Sequence, residues 1–274
     1  MSVWRAIGQG LDLTRRFWTA VLAFLLVYAF FGMLSTVLLP FEVVNGRVRV
    51  PMPSNPSDAA SRLIVALGIY FGMVGLSVWL LGGVLTGTGQ ILEKKPFSQG
   101  ELFRAGVARF WSMIGWVTGY AVSCMGAGVA AAFLLGFIAA VSGQATAMKS
   151  LAGLGFSSAG MVAGLLFLYS PAAIIQNSAG VWRGFGDSFR FVKRHGLATV
   201  ALVFWISVIG ALIWWFGVLV LARASGAIRA AMGIAPFAAG LPVFFFGLIN
   251  GLPQAILSVF VPASLYAYYH GSPE

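Results

Sequence analysis

The chain has 274 residues, of which 59% are hydrophobic and only 9% are charged, and its formal net charge is +10. A soluble domain is roughly 45–50% apolar and about 25% charged, so this composition excludes an ordinary soluble protein and indicates several membrane crossings. The apolar runs fill most of the length and leave no room for a separate soluble catalytic domain. We therefore expect one membrane domain over residues 1–274, with no nucleic-acid partner.

Six apolar windows without a charged residue predict six transmembrane helices. A helix of about 20 residues, rising 1.5 Å per residue, covers the roughly 30 Å hydrocarbon core of a bilayer. The windows run from Phe17 to Leu39, Leu63 to Leu85, Trp111 to Val141, Ala159 to Asn177, Leu197 to Leu221 and Phe237 to Ala267. The third and sixth exceed one crossing, and proline in the middle of the sixth, Pro253, predicts a bend there.

Basic residues in alternate loops predict the orientation. The N-terminal segment and the second and fourth loops hold eleven Lys and Arg, whereas the other loops hold six. Cytoplasmic loops carry the excess of Lys and Arg, so both termini are expected in the cytoplasm. Nine of these residues are candidate contacts for anionic lipid headgroups or a partner protein: Arg5, Arg15, Arg16, Arg104, Arg109, Arg183, Arg190, Lys193 and Arg194. The simpler alternative is that they only anchor and orient the chain.

A basic segment precedes each odd-numbered span and suggests an internal repeat. Trp4-Arg5 and Trp182-Arg183 begin two segments that align without a gap, and Arg109-Phe110-Trp111 matches Arg16-Phe17-Trp18 in a weaker middle copy. The pattern predicts an all-α fold of three pseudo-repeated hairpins, at about 1–92, 97–178 and 180–270. Each would begin with a short cytoplasmic amphipathic helix that lies in the membrane interface.

The apolar faces of these short helices can also be predicted. Trp4, Ile7 and Leu11 share a helical face in the first copy, as Trp182, Phe185 and Phe189 do in the third. The middle copy opens with Ser98 and Glu101, which predict a capping box.

Glycine pairs four residues apart recur in the even-numbered spans. The pairs are Gly68 with Gly72, Gly160 with Gly164, and Gly247 with Gly251, which begin 52, 51 and 53 residues after Arg16, Arg109 and Arg194. Small residues at this spacing let two helix backbones approach closely within a bilayer. We expect packing seams inside the molecule, with an oligomer interface as the alternative.

A polar cluster near the middle of the sixth span is a candidate ligand site within the membrane. Asn250 and Gln254 flank Pro253, whose ring frees a backbone carbonyl one turn earlier. The two carboxamides could bind a substrate where water is absent, or they could bond the freed backbone and a neighbouring helix. Ser170 and Pro171 in the fourth span present a smaller version of the same choice.

Chemistry-bearing residues are otherwise sparse. None of the seven carboxylates and no Lys or Arg lies inside a predicted span, which disfavours proton relays and ion-coupled pumps. The single Cys124 excludes an intrachain disulfide, and His195 and His270 stand at span ends. The sequence therefore predicts no catalytic residue, no metal site and no cofactor, and the protein is not expected to be an enzyme.

The segments Arg104–Trp111 and Phe189–His195, each ahead of a span, resemble those of a loose group of six-helix bacterial membrane proteins. These are similar to the membrane domain attached to some glycerophosphodiester phosphodiesterases. The resemblance implies a fold and a bacterial inner-membrane location; the catalytic barrel of those enzymes has no counterpart here. We expect an accessory or scaffolding subunit that packs against other membrane components, and the alternative is a carrier or channel for lipid or a neutral small solute.

Overall fold

The computed structural model describes residues 1–38, 42–44, 47–49, 55–142, 148–178, 180–232 and 240–272. The helices in these ranges are α1 (Val3–Arg16), α2 (Trp18–Leu38), α3 (Pro56–Leu92), α4 (Gln99–Val141), α5 (Met148–Leu166), α6 (Ser170–Gln176), α7 (Val181–Met232) and α8 (Gly240–Gly271). One short antiparallel ribbon, β1 (Glu42–Val44) with β2 (Arg47–Arg49), connects α2 to α3.

The helical class predicted from composition is confirmed. In the part of the chain that the structure describes, five helical segments are long and apolar enough to cross a membrane: Trp18–Ser35, Pro56–Leu92, Gln99–Val141, Ser150–Gln176 and Val181–Gly217. Much of their surface consists of exposed Leu, Phe, Trp and Val side chains. In water such a surface would be unfavourable, whereas lipid tails solvate it, so these are the features of a multi-pass membrane protein.

α1 packs lengthwise against the end of α8, in the antiparallel direction. Met1 lies beside Gly271, and Gly10 lies so close to Ser264 that a methyl group at this position would overlap the serine hydroxyl. The missing side chain thus lets the two helices touch. α1 thus packs on the end of α8, and its position in the membrane interface stays a prediction.

The predicted apolar faces of the two pre-span segments are only partly turned into the molecule, since Ile7 and Phe185 are buried and the tryptophans are exposed. In α1, Trp4 is 59% exposed, and the buried residues are Ala6, Ile7, Gly10 and Leu13. In the 181–194 segment, Trp182 is 79% exposed, and the buried residues include Gly184, Phe185 and Ser188. Gly10 and Gly184 lie on these buried faces because another helix approaches the backbone closely there.

The predicted middle amphipathic helix is continuous with its span. The Ser98 hydroxyl accepts the Glu101 amide at 3.3 Å and the Glu101 carboxylate accepts the Ser98 amide at 2.9 Å, so the predicted capping box is confirmed. From this cap α4 continues for 43 residues without interruption. Its first half packs on α3 and its second half on α5.

The first and third pre-span segments do end at a break in the helix. Phe17 separates α1 from α2 with φ −92° and ψ 35°, and His195 interrupts α7 with φ −116° and ψ 28°. Each break directly follows two basic residues, Arg15 and Arg16 in one case and Lys193 and Arg194 in the other.

The helix of the predicted fourth span is interrupted, and the bend predicted at Pro253 in the sixth stays a prediction. α5 ends at Leu166 and α6 begins at Ser170, while α8 passes through Pro253 as one helix. Ser188 from α7 bridges the gap: its hydroxyl donates to the Leu166 carbonyl at 2.8 Å and accepts the Tyr169 amide at 3.1 Å. The break persists because these side-chain hydrogen bonds replace the lost backbone ones.

Candidate functional site

A cavity of about 490 Å³ lies between α2, α3, α4, α8 and the α5–α6 junction, and we call it the central cavity. Its walls are mainly Leu, Val, Pro and aromatic side chains, and among the described residues that line it none is charged. The size falls within the roughly 300–1,000 Å³ range of small-molecule sites. The helices thus leave an open, mostly apolar pocket between them instead of closing into a solid bundle.

A few polar groups are distributed around the central cavity: Tyr28, Ser77, Trp116, Tyr120, Gln254, Ser258 and Tyr266. The Tyr28 and Ser258 hydroxyls lie 2.8 Å apart, and Ser258 also donates to the Gln254 carbonyl at 2.8 Å. The Trp116 indole N–H donates to the Ser170 hydroxyl at 3.2 Å. These internal bonds fix the side chains, so the wall is preorganised and presents mostly apolar surface with a few neutral polar groups.

The predicted midplane cluster is only partly assembled at this cavity. Gln254 lines it and remains exposed, whereas Pro253 is buried against Gly217 of α7. Asn250 lies in α8, but its side chain is outside the described residues. Sequence reasoning missed Tyr28 and Ser258, because nothing in the order of residues shows that α2 pairs with α8.

A second cavity, of about 570 Å³, lies between the end of α6, the first turns of α7 and the end of α8, and we call it the basic cavity. Its polar lining comprises Gln176, Asn177, Arg183, Asp187, Arg190, Arg194, His195, Tyr269, His270 and Ser272. Arg190 pairs with Asp187 at 2.6 Å, and the Asn177 amide donates to the same carboxylate at 3.3 Å. The remaining arginines have no ion-pair partner in the described part of the chain.

The nine basic residues singled out in the sequence are therefore not equivalent. Arg183, Arg190 and Arg194 converge on the basic cavity. Arg5, Arg15, Arg104 and Lys193 are exposed and do not line this cavity, and Arg16 pairs with Asp12 at 2.9 Å. Arg109 donates to the Ser178 hydroxyl at 3.3 Å, which links α4 to the α6–α7 turn.

A smaller basic surface surrounds the α3–α4 turn. Arg16, Lys94, Lys95 and Gln99 line a cavity of about 520 Å³ there. The Lys95 ammonium lies 2.6 Å from the Glu93 carboxylate, and this hydrogen bond and charge lower the pKa of the Glu93 carboxyl. Gln99 donates to the Arg16 carbonyl at 2.6 Å and ties the start of α4 to the α1–α2 junction.

The second glycine of each predicted pair lies against another helix of the molecule. Gly72 faces the Phe31 ring, Gly164 faces the Tyr120 hydroxyl, and Gly251 lies beside Tyr28. The first glycines of the pairs differ from one another. Gly160 lies near Cys124, whereas a Cβ added at Gly68 would have no contacting atom within 4 Å. The surroundings of Gly247 are outside the described residues.

The closest backbone contacts join α3 to α4 at glycines that the sequence pattern did not single out. A methyl group at Gly106 would overlap the Trp79 carbonyl, and one at Gly83 would overlap the Leu102 carbonyl. The Trp79 indole N–H also donates to the Phe103 carbonyl at 3.1 Å.

Among the described residues, no group of three or more His, Cys, Asp or Glu could hold a metal ion. Comparison of the chain with protein-family models, curated proteins and solved structures finds no significant match.

Proposed function

We propose that this is a non-enzymatic integral membrane protein that carries a lipid or a neutral small solute through its central cavity. The observation that carries the proposal is an uncharged cavity of about 490 Å³ between helices long and apolar enough to cross a membrane. A charged ligand would leave its charge without a partner on such walls, which is costly in a bilayer. Neutral hydroxyl, indole and carboxamide groups suit a ligand that is apolar or uncharged.

In the proposed arrangement α8 supplies a sixth crossing and both termini lie in the cytoplasm of a bacterium, at its inner membrane. α8 is 32 residues long, enough for the hydrocarbon core at 1.5 Å per residue. The matched breaks at Phe17 and His195 support the idea that the first and third hairpins are copies of one unit. Labelling of cysteines introduced at Lys94 and Lys193 tests the topology: both must react from the cytoplasmic side.

Filling the central cavity should displace its ligand. Leu81 lines the cavity, so Leu81→Trp is expected to reduce the neutral molecules that co-purify with the protein, measured by mass spectrometry of organic extracts. Leu67→Trp on the exposed face of the same helix is the matched control and should retain the wild-type amount. Equal amounts from a folded Leu81→Trp protein and from wild type would contradict the proposal.

Measurement of solute uptake into reconstituted vesicles tests the role of Gln254, a polar residue that lines the central cavity. Replacing Gln254 by leucine removes the carboxamide, and loss of one hydrogen bond of about 1 kcal/mol should slow uptake of a neutral polar solute about fivefold. Thermal stability should stay close to wild type because Gln254 is exposed. Unchanged flux for every neutral polar solute that the wild type transports would exclude Gln254 from the pathway.

The accessory-subunit hypothesis is supported by an outward-facing groove on α3 and α4. Gly72 and Gly75 form its floor, and Phe71, Val107 and Trp111 form part of its rim. Gly75 has no neighbour within 4 Å, so another helix could approach this backbone closely.

If a partner helix occupies this groove, Gly75→Leu should release a co-purifying subunit in mild detergent. Gly153→Leu is the control, because Gly153 on α5 also faces open space but lies outside the groove. A wild-type chain that purifies alone would count against an accessory role.

A further inference from the structure

We propose that the basic cavity binds the phosphate group of an anionic ligand. This site is separate from the central cavity and does not depend on what that cavity carries. Its chemistry fits a phosphate monoester or diester, whether the group belongs to a lipid headgroup or to a water-soluble molecule.

The first argument is the uncompensated charge. Arg183, Arg190 and Arg194 line the cavity together with one carboxylate, that of Asp187. Asp187 is already held by Arg190 at 2.6 Å, so two guanidinium groups have no counter-ion among the described residues. Like charges gathered in one concave space repel each other, and an anion bound between them removes that repulsion.

The second argument is a buried polar group that lacks a partner. Ser272 is only 8% exposed, and its hydroxyl has no hydrogen-bond partner in the described part of the chain. His270 also lines the basic cavity, and its buried Nδ1 likewise has no hydrogen-bond partner in the described part of the chain. A buried polar group without a partner costs about 1–3 kcal/mol, and a ligand oxygen would offset that cost.

Phosphate matches this set better than a carboxylate does. It presents several acceptor oxygens around one centre and carries up to two negative charges, which equals the two unpaired guanidinium groups. Guanidinium groups bind phosphate oxygens in pairs with good geometry, and a hydroxyl can donate to a remaining oxygen.

Binding of two probes to the purified protein in phosphatidylcholine nanodiscs tests the proposal. The probes are inorganic phosphate and a short-chain phosphatidic acid, each followed by calorimetry. We expect at least one to bind the wild type, and Arg183→Gln with Arg194→Gln to weaken that binding at least about tenfold. Binding of both probes, in competition, assigns the site to phosphate in general, and binding of the lipid alone assigns it to a headgroup.

A charge-matched control separates the site from general attraction. Arg5→Gln with Arg104→Gln removes the same two charges from exposed positions outside the cavity and should change the affinity less than twofold. Equal weakening by the two pairs, or no binding of either probe to the wild type, would overturn the proposal.

Ser272→Ala provides an independent readout. Without a ligand, removal of an unpartnered hydroxyl should leave the unfolding midpoint unchanged or slightly higher. With phosphate present, the affinity should fall about three- to tenfold. An unchanged phosphate affinity in this variant would show that Ser272 does not bind the phosphate, and it would contradict the second argument.

Discussion

Replacement of Gly106 by valine is expected to prevent the stable packing of α4 on α3. The new side chain would overlap the Trp79 carbonyl and approach its indole, and a backbone oxygen inside a helix cannot turn away as a side chain can. Overpacked cores lose about 1–3 kcal/mol, and we expect the upper end or more because the reciprocal contact at Gly83 is strained as well. The measurement is the midpoint of thermal unfolding in detergent.

Gly126→Val is the matched control for this substitution. Gly126 lies in the same helix, is exposed, and has no contacting atom within 4 Å of the position that an added Cβ would take. The added β-branched side chain would meet only lipid or detergent, so the midpoint should change little. Equal midpoints for the two variants would mean that α3 and α4 do not touch at Gly106.

Replacement of Ser188 by alanine should open the α5–α6 junction. The variant leaves the Tyr169 amide and the Leu166 carbonyl without their partner at a site where Ser188 is fully buried. Each orphaned group costs about 1–3 kcal/mol, and no water is at hand in a bilayer to replace the lost bond. We expect a lower unfolding midpoint and faster hydrogen exchange at residues 167–170.

Ser158→Ala serves as the control for the junction. Ser158 is exposed on α5 and its hydroxyl donates to the Leu154 carbonyl, which is already part of a helix. Its removal should alter neither the midpoint nor exchange at residues 167–170. If Ser188→Ala behaved like Ser158→Ala, the bridge could not be what holds the junction.

The sequence was sufficient for the membrane class and the approximate spans, because the exclusion of charge from lipid is a strong and local signal. The capping box at Ser98 was also predictable, since its donors and acceptors lie within four residues. The ribbon between α2 and α3 had a usable signal as well, because Asn45-Gly46 separates its strands and favours a hairpin.

The position of the helix break was harder to predict, because proline alone does not determine it. Pro253 remains within α8, whereas the break falls before Pro171, where Ser188 from another helix can satisfy the freed groups. That serine is 22 residues from Leu166 in the chain. The cost of breaking a helix in lipid thus depends on a tertiary contact that local sequence does not encode.

The two cavities could not be predicted from the sequence, for a related reason. His270 and Ser272 come to the basic cavity from the end of α8, and the arginines come from the start of α7. Convergence of this kind requires the mutual placement of helices. The close contacts at Gly10 and Gly184 in the pre-span segments also depend on another helix, so an amphipathic pattern does not indicate them.

The hydrogen bonds of Ser188 connect the helices that line the two cavities. Ser188 lies between Asp187 and Arg190, which line the basic cavity. Its hydroxyl accepts the amide of Tyr169, which directly precedes α6, and Pro171 and Ala172 of α6 line the central cavity. The first turns of α7 and the α5–α6 junction, each next to one of the cavities, are therefore joined by the hydrogen bonds of a single buried hydroxyl.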